Sequence, residues 1–369
     1  MTPRQLRKMI KEGREISKAN LQGLDLRGLD LAGGIFLDSD FSGANLSGAQ
    51  VNGSMFVDCR LTGAVLEQAD ADQCTFHRGD ASGMRMDSAR LDQAAFHDVR
   101  LSEARFDGAV AGMLSFVDCD ASGASFGTLT SEMMVFYDTR LERADFSGSV
   151  LEKTTFYQAD LRSAVFSRCH FSRTMFVESD LSGQVFRDQK FDLCQFVDAN
   201  LSGCDFEGAT LNQCNFKGAR VEGGSLRRVV APQCVFVETK LDGVGLNGGN
   251  FFQSVWADAR LNGADLSGAN FAQCVFHRAQ CTGAVFSAAQ LSHADLSYAD
   301  LRDADFRDAT LMRTNVHRAM LEGTRFSDRG GLLLKDAPMF DAEEFSARRP
   351  KHRDPSSSST TSPTPGRSE

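Results

Sequence analysis

No stretch of the 369-residue chain approaches 18 consecutive apolar residues, although 42% of it is hydrophobic. A membrane-spanning helix is therefore not expected. Proline is scarce, seven in all, and only Pro232 falls between residues 19 and 328. That suits backbone that must hydrogen-bond along both edges. No Walker A loop, dinucleotide-binding glycine motif or zinc-ligand spacing occurs. His170, His277, His293 and His317 fall in unrelated registers, and Ser-Gly pairs such as Ser42-Gly43 and Ser182-Gly183 read as corners, not nucleophile elbows. Without converging nucleophile, base and oxyanion donors, the chain is not expected to be an enzyme or to hold a cofactor or metal.

What the chain does have is a period of five. Every fifth residue from Leu21 to Phe326 lies in one unbroken register, and 55 of those 62 positions hold Leu, Phe, Val, Met or Trp. Neither a helix nor a flat strand has this period. Two residues before each large one sits a small one: Ala, Gly, Ser, Cys or Thr in 51 of the 62 units. Phe recurs every 20 residues from Phe36 to Phe236, followed by Trp256 and Phe276, so four units should close one turn. Coils stacked at the strand spacing of about 4.8 Å would make a rod of roughly 75 Å. Each buried ring would contribute about 1.5–3 kcal/mol. Where the large position shrinks, at Ala111, Ala121 and Ser131, Leu114, Leu129 and Met134 enlarge nearby small positions, as volume compensation predicts. One corner column holds ten glycines, from Gly43 to Gly283.

Stretches such as Ser42-Gly43-Ala44-Asn45-Leu46 and Ala294-Asp295-Leu296 to Ala299-Asp300-Leu301 resemble the pentapeptide-repeat family, whose consensus is A-(D/N)-L-x-x. The resemblance covers about five-sixths of the chain and implies an all-β fold, a right-handed quadrilateral parallel β-helix of about 15 coils. Small and large residues would point inward and the other three of each five outward. The expected organisation is a capping helix over 1–18, the β-solenoid over 19–328, a C-terminal cap over 329–347 and a disordered tail over 348–369.

The solenoid's two raw ends need covers. Thr2-Pro3 reads as a helix N-cap followed by proline at the first helical position. Leu6, Met9 and Ile10 then form one apolar face, with Arg7, Lys8, Lys11 and Arg14 outside as a solvated surface. No apolar core follows, so no signal peptide is expected, and the predicted location is cytoplasmic. Leu332, Leu333 and Leu334 would cover the last coil, with a helical turn over Asp341 to Ala347. Beyond it Pro, Ser and Thr predominate. The basic cluster Arg348, Arg349, Lys351 and Arg353 offers little, and no direct nucleic-acid binding is expected.

Nine of the ten cysteines occupy the small inward position and Cys281 the large one. Cys194, Cys214 and Cys234 would stack with Cβ atoms about 4.8 Å apart, whereas a disulfide needs about 3.8 Å. They read as small core residues.

Function must then lie on the outward columns. Beside the aromatic column run Val57, His77, His97, Val117, Tyr137, Tyr157, Val177 and Val197, and on its other side Ile35, Met55, Val135, Met175, Val235, Val255 and Val275. Such a row of outward apolar side chains predicts an interface. His77 and His97, one rung apart and without a third ligand, read as a surface pair. The next corner is acidic, including Asp38, Asp58, Asp98, Asp118, Asp138, Glu178, Asp198, Glu238 and Asp258.

Two functions are compatible with this surface. The favoured one is a bacterial-type protein-binding scaffold or adaptor that docks a protein partner or forms a homodimer. The opening Leu24-Asp25-Leu26-Arg27-Gly28-Leu29-Asp30-Leu31 resembles pentapeptide-repeat proteins associated with type VI secretion. The alternative comes from the family's quinolone-resistance branch, which protects DNA gyrase: a DNA-mimicking topoisomerase modulator. Against it, Arg60, Arg100 and Arg140 alternate with Asp40, Asp80 and Asp120, the net charge of −9 is modest, and the loop insertions of some gyrase-protecting members are missing.

Overall fold

A small residue and a large residue two places apart lie on the same side of an extended backbone. Repeated every five residues, the pair points inward once on each of four faces before the chain returns 20 residues later one rung higher. The computed structural model of the protein, which describes residues 1–348, shows this arrangement as a parallel β-solenoid of about 16 turns. Ile16 is buried and pairs with Phe36, so the inward column that the aromatics continue starts one unit before the repeat is recognisable in sequence. The strands of the aromatic face are β1 (Ile16–Ser17), β2 (Ile35–Leu37), β3 (Met55–Val57), β4 (Thr75–Asp80), β5 (Ala94–Arg100), β6 (Val110–Val117) and β7 (Thr130–Tyr137), each pairing in parallel with the next. Elsewhere single bridges at the same 20-residue offset, such as Asp40 with Arg60, continue the ladder. The amide of Leu21 donates to the carbonyl of Asp40 (2.8 Å) and the amide of Asp40 to that of Ala19 (2.9 Å), so successive rungs exchange bonds in both directions.

The core is one continuous cluster from Leu6 to Val316. Phe56, Phe76 and Phe96 stack 4.9 and 4.6 Å apart with nearly parallel rings. A second column on the opposite face, Phe106, Phe126 and Phe146, stacks at 5.2 and 4.9 Å and meets the first edge-on, as Phe106 meets Phe116 at 5.6 Å. Edge-to-face and offset contacts add to what area burial alone provides. Polar residues at the small position donate to a carbonyl of the preceding coil: Ser54 to Leu31 (3.0 Å), Thr139 to Phe116 (3.1 Å) and Thr239 to Phe216 (2.8 Å). Their hydroxyls are thereby satisfied inside an apolar column.

All ten cysteines are free and buried. Burial pushes the thiols of Cys74 and Cys274 up to about 12, which keeps them protonated and unreactive.

Helix α1 (Pro3–Lys11) closes the first end with a capping box: Thr2 accepts from the Gln5 amide (3.3 Å) and the Gln5 side chain from the Thr2 amide (2.9 Å). Leu6 is fully buried, and Met9 and Ile10 pack on the same core together with Leu24 and Leu29. At the other end the register shortens, since Thr314 pairs with Leu332 and Asn315 with Leu333. Leu332 packs on the core, whereas Leu333 and Leu334 stay exposed, so the expected three-leucine cover reduces to one residue. Helix α2 (Ala337–Arg348) is longer than a single turn and is held by Glu343, which pairs with Arg318 at 2.6 Å. Of the expected tail, Arg348 instead ends helix α2, and residues 349–369, including Arg349, Lys351 and Arg353, lie outside the described residues.

Candidate protein-binding face

Every corner residue between Lys18 and Gly323 has positive φ except Met113, Met133 and Ser163. Glycine takes this left-handed conformation readily, and other residues do so at some cost. At Met113 and Met133 the corner is lost altogether, and β6 and β7 each run eight residues straight through it. Both sit where the inward sizes are exchanged: Ala111 and Ser131 at the large position, Leu114 and Met134 at the small one. Asp92 secures the opened backbone, its carboxylate accepting from the Met113 amide at 3.1 Å. Met113 is left 53% exposed, Met133 41% and Val110 56%. With Gln93, Ala94, Leu114, Ser115 and Val135 the two methionines line a groove of about 150 Å³.

This groove borders the aromatic face. Val57, His77, His97 and Val117 pair rung on rung, Val117 pairs with Tyr137 and Tyr137 with Tyr157, and Tyr157 pairs with Val177. All point outward with Val197, but only Tyr137 counts as exposed, at 48%; the other seven are half-buried. Rungs about 4.8 Å apart let each side chain shield its neighbours. The Tyr137 and Tyr157 rings stack at 5.1 Å. His77 and His97 lie 6.5 Å apart, and among the described residues no group of three metal-ligating side chains gathers. Across the strand, Met55 is 42% exposed. Apolar exposure is not confined to this face, because Val165 and Val185 protrude on another.

The acidic corner is uneven. Arg78 pairs with Asp58 at 3.0 Å and Arg278 with Asp258 at 2.6 Å. Asp98, Asp118 and Asp138 have no ion pair among the described residues. Of the alternating column, Asp40–Arg60 (3.7 Å) and Asp80–Arg100 (3.1 Å) close across rungs. Other pairs form within one rung, as in Asp25–Arg27 and Asp300–Arg302, both at 2.6 Å. Sequence reasoning missed these, although residues two apart on a strand share a face. It also missed Met113 and Met133; the available signal was an apolar corner residue between exchanged inward sizes.

A four-sided coil with one inward pair per five residues defines a class of solenoid scaffold. Pentapeptide-repeat models match residues 19–56, 54–93, 257–289 and 289–328, and a pentapeptide-repeat-region model matches 139–216. The chain belongs to the pentapeptide-repeat family. Among solved structures it is similar to a trypsin-treated form of QnrB1, a plasmid-mediated fluoroquinolone resistance protein, with 20% identity over 49% of this chain and 90% of that one and a TM-score of 0.39. HetL, a pentapeptide repeat protein involved in heterocyst differentiation regulation from Nostoc sp. strain PCC 7120, shares 21% identity over 90% of this chain and 98% of its own, with a TM-score of 0.16. A pentapeptide repeat protein of the Arabidopsis thaliana thylakoid lumen shares 22% over 35% and 68%, with a TM-score of 0.13. No curated protein matches the chain. Among the described residues no helix is long and apolar enough to cross a membrane.

Proposed function

We propose that the chain is a non-enzymatic binding scaffold whose aromatic-side face docks a protein partner. The carrying observation is the outward row from Val57 to Val197, continuous with the opened corners at Met113 and Met133. Eight rungs span roughly 38 Å, long enough to carry one side of a specific interface of about 800 Å². The face is built on rigid stacked backbone, so binding needs little reordering. The likeness of Leu24 to Leu31 to type VI secretion-associated members makes that machinery the first place to seek the partner.

The test is affinity purification of the full chain from its native cell, with and without Tyr137→Glu, Tyr157→Glu and Val177→Glu together. The partner should be lost while the far-UV spectrum and melting temperature stay. An unchanged partner profile and particle size would remove the proposal. DNA mimicry would need an uninterrupted anionic strip, which Arg78 and Arg278 break by pairing with Asp58 and Asp258. A gyrase supercoiling assay with excess protein should accordingly show no effect.

A further inference from the structure

We infer that the groove between Met113 and Met133 receives one apolar side chain from a protein segment whose flanking residues are basic. This rests on the docking reading above and narrows it to a partner of stated chemistry. The floor of the groove is Ala94 and Leu114, each only 2% exposed, and its walls are Met113, Met133 and Val135. A volume of about 150 Å³ is close to that of an apolar cavity known to hold a benzene ring. Unbranched thioether walls adjust to an incoming side chain at little cost. Asp92 holds the corner open from beneath through the Met113 amide.

The charges around the groove choose the flanks. Asp98, Asp118 and Asp138 are the one run of three successive acids in their corner column, and all three are exposed. Glu132, on the opposite side of Met133, is exposed too, and none of the four forms an ion pair among the described residues. Carboxylates on adjacent rungs repel one another, and lysine or arginine from a partner would relieve this. Elsewhere in the column Arg78 and Arg278 already do so for Asp58 and Asp258. A second copy is disfavoured as the occupant, since two such faces would set acid against acid. The chain's own basic helix is also disfavoured, because its Leu6 is buried in the core.

Fluorescence anisotropy of the full chain tests this with three labelled nonapeptides: phenylalanine centred among lysines, glycine in its place, and glutamates in place of the lysines. The first should bind at least ten-fold more tightly than either control. Asp118→Lys, at an exposed site, should weaken it several-fold, and Met113→Asp with Met133→Asp at least ten-fold. Equal binding of the glycine peptide, or no response to Asp118→Lys, would overturn the inference. So would a dimer mass in light scattering that halves in Met133→Asp, which would make a second copy the occupant. If no peptide binds while the Tyr137→Glu combination still loses its cellular partner, this inference fails and the docking face stands.

Discussion

Residues 94–138 and 217–256 both fall outside the family matches, yet only the first stretch opens its corners. In the second, corner residues from Gly218 to Gln253 all keep positive φ. Departure from consensus is therefore not what breaks a corner. Two corners that keep their turn isolate the cause. In Ala81-Ser82-Gly83-Met84 the inward sizes are exchanged, but Gly83 turns at φ 64°. In Phe191-Asp192-Leu193-Cys194 the corner residue is apolar, but the sizes are normal and Leu193 turns at φ 55°. Where both conditions meet, at Met113 and Met133, the turn is lost. A small residue at the large position no longer anchors the strand before the corner, and a corner residue without left-handed preference does not compensate.

The largest effect should come from removing one ring of the aromatic column in each region. Phe276→Ala, beside Cys274, leaves a cavity its surroundings cannot fill, and should cost about 5 kcal/mol. Phe136→Ala, beside the buried and flexible Met134, should cost nearer about 3 kcal/mol, because a thioether can swing into the space. Urea unfolding of both variants measures the difference. Equal losses would mean that the irregular coils are packed as tightly as the regular ones.

Restoring the corners tests the rule directly. Met113→Gly with Met133→Gly reproduces the Gly83 situation, so the turns should re-form and the groove close. Stability should stay within about 1 kcal/mol, since easier left-handed backbone is offset by a more flexible unfolded chain. Affinity for the phenylalanine–lysine peptide should fall at least ten-fold. A crystal structure with the groove still open would show that the exchanged inward sizes alone straighten the chain.

Much of this was legible in the sequence, and the failures have physical reasons. One residue in five must point inward to close a coil, so Leu21 to Phe326 announced the fold, and Phe36 to Phe276 its four-unit turn. The outward row from Val57 to Val197 followed from the same register. Half-burial of that row did not, because shielding comes from rungs 20 residues away. The opened corners stayed hidden because Ala111 and Ser131 keep the phase and leave no mark in the period. Leu193 shows that an apolar corner residue alone would have been a false signal.

Charge separates the same regions at low pH. In the regular coils, the forked hydrogen bond from Arg307 holds the Asp305 carboxyl down at about 2, against an ordinary value of 3.8. Its side chain is only 6% exposed, and the two contacts are 2.9 and 2.6 Å. A depressed carboxyl contributes stability that is present above pH 4 and lost as pH falls toward 2. Asp305→Asn should therefore cost roughly 1 kcal/mol at pH 7 and only a small fraction of that at pH 2. Asp118→Asn, with no ion pair to lose and two like charges beside it, should be neutral or slightly stabilising at pH 7. Denaturation midpoints at the two pH values distinguish the cases, and a pH-independent loss in Asp305→Asn would contradict the first.

The smallest effect concerns the single tryptophan, which ends the second unmatched stretch just before the matched C-terminal coils. Trp256 stacks 4.0 Å from Phe236 and 5.7 Å from Phe276, fully buried, and its indole N–H makes no hydrogen bond of normal geometry, only a weak contact with the Cys274 thiol. Leaving that donor unmatched costs about 1–3 kcal/mol. The extra ring adds apolar burial and dispersion of similar size. Trp256→Phe removes both terms and completes a column that holds phenylalanine on either side, so stability should change by less than about 1 kcal/mol. A much larger loss would mean that the indole fills space no phenyl ring can, and that this rung departs from the regular column as much as the opened corners do.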